Sequence, residues 1–292
     1  MAETELSIVG RVDSGGSRRI PSRRRDVPLD LVVPGGILAL IVVSCYLVPL
    51  LGAVPSPIGG NVLDANLPVF SPGHLLGTDQ VGNDLLSRVL YGGRDSLQVA
   101  FAVTAIGFIV GGAMGAVGAY VGGIGDAILM RILDVLIAFP SLVLIIVVAQ
   151  ALGPSPVNTV LAMSVHSIPA FARVARAATL SLRNQPFMMA AKLSGTRSSR
   201  ILALHIAPNI GPQLVTYALL SMGVTIIVAG ALSFLGLGTP PPFPSWGNMI
   251  ADGQRAMLRT PLLVLVPSVV LFLTVLSLNL LGEALRMRWS KR

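Results

Sequence analysis

Residues 97–121 read LQVAFAVTAIGFIVGGAMGAVGAYV, twenty-five residues without one charged side chain. A bilayer core about 30 Å thick needs ~20 apolar residues at 1.5 Å per residue. Runs of the same kind occur at Leu31–Leu51, Ile132–Leu152, Val157–Ala177, Ile210–Leu235 and Leu262–Leu281. Barrel strands are only ~9–11 residues and alternate in polarity, so these runs predict helices. The expected fold class is an all-α polytopic membrane protein with six transmembrane helices. The fourth run is the least apolar, interrupted by His166, Pro169, Arg173 and Arg176.

The whole chain agrees with that run. It has 292 residues, 53% hydrophobic and 12% charged, with a mean hydropathy of +0.78. Soluble domains carry about 25% charged residues. A single cysteine, Cys45, excludes an internal disulfide framework and a cysteine zinc site. The net charge of +8 is a topology signal. Seventeen of the 21 Lys and Arg fall on one side of the expected spans; Arg88, Arg94, Arg255 and Arg259 fall on the other. The richer side is expected to be cytoplasmic, with both termini there, and a nucleic-acid partner is not expected. The basic stretch before the first run resembles a signal peptide, but the run is long enough to span and five more follow, so a retained first helix is expected.

Four regions follow: a basic tail at 1–28 near anionic lipid headgroups; the first span and an outer loop at 29–96; a five-helix core at 97–284 with a loop at 178–209; and a basic tail at 285–292. In the outer loop, Asn83 is a suitable cap for a short amphipathic helix with Leu85, Leu86, Val89 and Leu90 on one face. Asp84 and Arg88, four apart, share the other face. In the last outer connection Trp246 suits an interface anchor. Gly111 and Gly115, and Gly118 and Gly122, are spaced for close helix approach.

The loop at 178–209 is the most informative stretch. Pro186 suits a first helical position, and Phe187, Met188, Met189, Ala190, Ala191 and Lys192 continue the helix to Leu193. Gly195 supplies a left-handed stop. A second helix carries Ile201, Leu202, His205 and Ile206 on one face and is expected to close at Pro208. The pair reads either as a docking surface or as a basic loop that fixes topology. Arg131 and Asp134 suggest a local ion pair, and Arg173 and Arg176 suggest snorkelling at a helix end. His166, nearer mid-depth, suits either a polar translocation path or a bond to a neighbouring helix. The chain has no GxxxxGK[ST] nucleotide loop, HExxH spacing or GxSxG elbow, so catalysis by this chain is not expected.

Four motifs then stand in order: LGTDQVGNDLLSRVLYGGRDSL at 76–97, DVLIAFP at 134–140, SFLGLG at 233–238 and PSWGNM at 244–249. Together they resemble the second permease subunit of dipeptide, oligopeptide and nickel ABC importers. Ala190, Ala191, Gly195 and His205–Asn209 resemble that family's cytoplasmic coupling motif. Met189 replaces its usual acidic residue, Pro186 another acidic one, and Ala207 a leucine, so the contact is more apolar than usual.

The resemblance implies a type I ABC importer permease fold in the cell membrane. It implies a second homologous permease, two ATPase subunits and an extracytoplasmic substrate-binding protein as partners. ATP and magnesium would be used by the ATPases and no cofactor bound by this chain. The substrate implied is a dipeptide or oligopeptide, with a nickel chelate or haem as the variant within the family. A self-contained channel or secondary transporter is the alternative from outside it.

Overall fold

The computed structural model describes residues 29–289. The tail expected at 1–28, and residues 290–292 of the one expected at 285–292, lie outside them. Among the described residues the chain is helical, with no β-strand and only two isolated bridges, Ser71 to His74 and Thr78 to Asp84.

Helix α1 spans Leu29–Leu50. After a loop with one short 3₁₀ turn at Val62–Asp64, α2 (Leu85–Ile106) passes through a π turn (Gly107–Gly111) into α3 (Gly112–Val121). Together they form one rod of 37 residues. The short amphipathic helix expected at Leu85 is therefore the first turns of this rod. Its apolar face lies on the bundle: Leu85 and Val89 pack with Met249 and Leu263. Asp84, not Asn83, caps it, accepting the Ser87 N–H at 2.7 Å. The Asn83 side chain is held elsewhere, accepting from Gly60 N–H at 2.8 Å and donating to Asp79 at 2.9 Å. Asp84 and Arg88, on the other face, find separate partners: Asp84 meets His74 at 2.9 Å and Arg88 meets Asp79 at 3.4 Å.

The third apolar run is broken. Helices α4 (Gly123–Ala138) and α5 (Ser141–Leu152) meet at 88°. Pro140 lacks an N–H and pushes the residue before it out of the helical region. Phe139 accordingly sits at φ −79°, ψ 142°. Helix α6 (Pro156–Arg183) leads to α7 (Pro186–Leu193) and α8 (Ser198–Ile201). A second π turn (Leu202–Ile206) joins α8 to α9 (Ala207–Phe234). Pro208 does not close the second helix as expected. The Ala207 N–H reaches back to the Leu202 carbonyl, and Pro208 falls in the first turn of α9, where its missing N–H is tolerated. Helix α10 (Trp246–Gln254) is capped by Ser245 and Asn248 in a reciprocal box. Helix α11 runs Leu262–Trp289, so residues 285–289 of the expected tail are helical.

Four helical segments are long and apolar enough to cross a membrane, or five with the bent α4–α5 pair counted as one. Helix α6 has the length, at 28 residues, but His166, Arg173 and Arg176 keep it out of that set.

The rod and α6 form the central contact. A Cβ on Gly111 would collide with the Ile168 carbonyl, and one on Gly115 with the Ala172 carbonyl. The small-residue spacing thus serves packing within the chain, backbone against backbone. Gly118 faces Asp126 and Leu129 instead, and Gly122 makes the turn into α4 at φ +70°. Trp246 is fully buried, not at an interface: its Nε1–H donates to the Val89 carbonyl at 3.0 Å, and its ring fills the space above Gly93.

Gly115→Leu is expected to cost about 1–3 kcal/mol or more through overpacking, read as a lower thermal midpoint of the purified protein. Gly36→Leu, where nothing lies within 4 Å of an added Cβ, is expected to leave that midpoint nearly unchanged.

Candidate functional site

Helices α7 and α8 form a knee at one end of the bundle. Gln185 stands in the extended N-cap position and Pro186 opens α7. Gly195, at φ +69°, takes the left-handed conformation that turns the chain towards α8. The knee is seated by Met188, which is fully buried with Ile201, Ile206 and Ile210 against Phe171, Ala175 and Ala178 of α6. Met188 and Met189, both expected at an external apolar contact, therefore separate: one is an inward anchor, and Met189 is 60% exposed. Helical periodicity causes this, because neighbours in a helix differ by about 100°.

The remaining expected residues fall on both sides of that anchor. Phe187 is 40% exposed, Leu193 is 89% exposed, and Pro186, Ala190 and Gly195 are also exposed. Ala191 is half-buried against the anchor cluster. His205 is half-buried, with its Nδ1 enclosed and unpartnered, while Pro208 is exposed. The knee thus presents a mixed apolar surface of Phe187, Met189 and Leu193 with Lys192 beside it.

Sequence reasoning missed what braces the knee. Tyr120, at the end of α3, lies under Lys192 (5.5 Å from Nζ to ring centroid), and its hydroxyl is 3.5 Å from Ser198 Oγ. The Arg173 and Arg176 side chains do not simply snorkel. Arg176 forms a bidentate pair with Asp126 at 2.7 Å, and Arg173 binds Asp134 at 2.7 Å. Asp134 thus takes its partner from α6 and not from Arg131. The order of the pairs reverses along the chain, as antiparallel helices require. Arg183 extends the cluster to the Ala119 carbonyl at 3.5 Å. Two carboxylates on α4 and two arginines on α6 were the available signal.

His166 lies apart from the knee. It lines a cavity of about 290 Å³ between α2, α5, α6, α9 and α11. Its Nδ1 is buried without a partner.

The two ion pairs differ in burial. Asp126 is 9% exposed at its side chain, whereas Arg173 and Asp134 are each nearly half exposed. Asp126→Ala, which removes a buried carboxylate from an Arg176 that is itself 35% exposed, is expected to destabilise by about 1–3 kcal/mol. Asp134→Ala is expected to cost about 0–1 kcal/mol. Thermal unfolding of the two purified variants separates these outcomes.

Residues 77–291 match the family of binding-protein-dependent transport system inner membrane components. The chain is 39% identical over 213 residues to the dipeptide transport system permease protein DppC of Alkalihalophilus pseudofirmus, covering 73% of this chain and 70% of that protein. It is 41% identical over 216 residues to the glutathione transport system permease protein GsiD of Pectobacterium atrosepticum, covering 74% and 72%. In fold it is similar to an inward-facing form of the MetNI methionine ABC transporter, with a TM-score of 0.57 at 15% identity over 68% of this chain and 95% of that one. A helical membrane rod-and-knee architecture, the ordered motifs and these matches converge: the chain belongs to the binding-protein-dependent transport system inner membrane component family.

Proposed function

We propose that this chain is one of two permease subunits of an ATP-driven importer of dipeptides or related small peptides. It pairs with a second homologous permease, sits on two ATPase subunits, and receives solute from an extracytoplasmic binding protein. The ATPases use ATP and magnesium; this chain binds neither. Helix α6 joins the five apolar spans as a sixth, with its arginines neutralised by α4 and its polar mid-section turned to the interior. The knee and both termini face the cytoplasm, where most of the Lys and Arg then lie.

The observation that carries the reading is the two-sidedness of α7. One face is locked into the bundle through Met188, and the opposite face, with Phe187, Met189 and Leu193, is bare. A rigid helix anchored on one side and free on the other suits the transmission of a partner's motion into the spans. An ATPase that closes on nucleotide pushes the knee, and α6 and α9, which share its packing cluster, move with it. An apolar contact at Met189 replaces the acidic one usual in the resembling family.

The substrate assignment rests on the relatives, described as dipeptide and glutathione permeases.

Met189→Arg, at an exposed position, is expected to leave membrane insertion and assembly of the purified complex intact while reducing transport per ATP hydrolysed by about tenfold, the effect of one lost contact of ~1.4 kcal/mol. Unchanged coupling would place the ATPase contact elsewhere. Gly195→Pro, which cannot adopt a positive φ, is expected to abolish uptake of a radiolabelled dipeptide without preventing insertion. Transport by this chain alone in vesicles would favour a self-contained carrier.

A further inference from the structure

Three strong hydrogen-bonding side chains from three helices line the cavity beside His166: His166 of α6, Tyr217 of α9 and Asn279 of α11. The hydroxyls near them are already used. Ser167 donates to the Val103 carbonyl at 3.3 Å, Ser221 to Ala218 at 3.1 Å and Thr225 to Ser221 at 2.8 Å. His166 Nδ1, by contrast, is buried and unpartnered. Neither the Tyr217 hydroxyl nor the Asn279 carboxamide bonds another described residue; Asn279 rests over Gly223, and the Tyr217 ring packs edge-on against Phe171 with centroids 4.8 Å apart. Polar groups kept inside spans without protein partners are costly and mark ligand or ion paths.

We infer that His166, Tyr217 and Asn279 form a subsite, within this one chain, for the peptide unit of the transported solute. The inference rests on the importer reading and names the group recognised. No lining side chain carries a full charge, so the site suits an uncharged group. Imidazole, phenol and carboxamide together offer both donors and acceptors, which a peptide N–H and C=O complement. The rest of the wall is largely apolar, with Phe171, Val224 and Val228 able to receive a side chain. A sugar would leave most of its hydroxyls unpaired against such a wall. The volume of about 290 Å³ lies just below the ~300–1,000 Å³ range of small-molecule sites, which suits one peptide unit with its neighbouring side chains.

The test uses the complete transporter, with its partner permease, ATPases and binding protein, in proteoliposomes. ATP-driven uptake of dialanine is compared with that of its depsipeptide analogue, in which an ester oxygen replaces the amide N–H. The binding protein is the same in every arm, so a changed ratio belongs to the permease. Asn279→Leu and His166→Leu are expected to raise the dialanine KM by about tenfold, with a smaller change in kcat, and to shrink the preference for the amide by a similar factor, the worth of one hydrogen bond. Tyr217→Phe, which keeps the ring against Phe171, is expected to raise KM several-fold, and Asn279→Gln to restore part of the preference. Wild-type KM and preference in all the variants, alongside normal wild-type uptake, would overturn the subsite and leave the importer reading standing. A fall in kcat alone would also overturn it, as a structural role. Failure of the wild-type transporter to take up dialanine, its analogue or glutathione in an ATP-dependent way would overturn both.

Discussion

The backbone of α6 lies directly on the glycine face of the central rod, and most of the molecule is arranged around that contact. Gly111 and Gly115 bring the carbonyls of Ile168 and Ala172 closer than any side chain would allow. In a bilayer, helices gain little from burying apolar surface against each other, because lipid is equally apolar. Close backbone packing is what holds them in register. With α6 fixed at that depth, its other faces are fixed too. One carries Phe171, Ala175 and Ala178 into the seat of the knee, another carries Arg173 and Arg176 to α4, and a third carries His166 into the cavity.

Polar groups follow two opposite rules along this helix. Near the knee, the arginines are paired with Asp126 and Asp134, so that end of α6 enters the structure without a stranded charge. Around the cavity, His166 Nδ1, the Tyr217 hydroxyl and the Asn279 carboxamide have no partner among the described residues. The first arrangement stabilises the bundle, while the second keeps hydrogen-bonding capacity in reserve. Phe171 belongs to both regions, since it packs in the cluster around Met188 and its ring meets Tyr217 in the wall of the cavity. A displacement of α7 therefore acts on the same packed cluster that shapes the cavity, and packed cores respond by discrete repacking more than by smooth deformation.

The apolar runs, the knee between Pro186 and Gly195 and the family motifs were legible in the sequence because each is a local property. Twenty apolar residues need a bilayer, a proline favours a first helical turn, and a glycine permits positive φ, whatever surrounds them. Misreadings arose where a residue had more than one eligible partner. Asp84 displaced Asn83 as a cap because Asn83 was taken by Gly60 and Asp79. Asp134 chose Arg173 of another helix over Arg131 of its own. Pro140 broke a run that composition alone joined, and a π turn carried the chain through Pro208, where a stop was expected.

What the residues settled unaided was the solvent of this chain and the position of its knee, since hydrophobic length and backbone chemistry are summed along the chain. What needed the assembled bundle was orientation around each helix axis. Whether Met188 or Met189 turns inward, whether Trp246 meets lipid or the core, and which polar groups find partners all depend on how far each helix is rotated and how closely its neighbours approach. Those quantities are set by contacts between residues far apart in the chain, with the glycine-lined seat of α6 foremost among them.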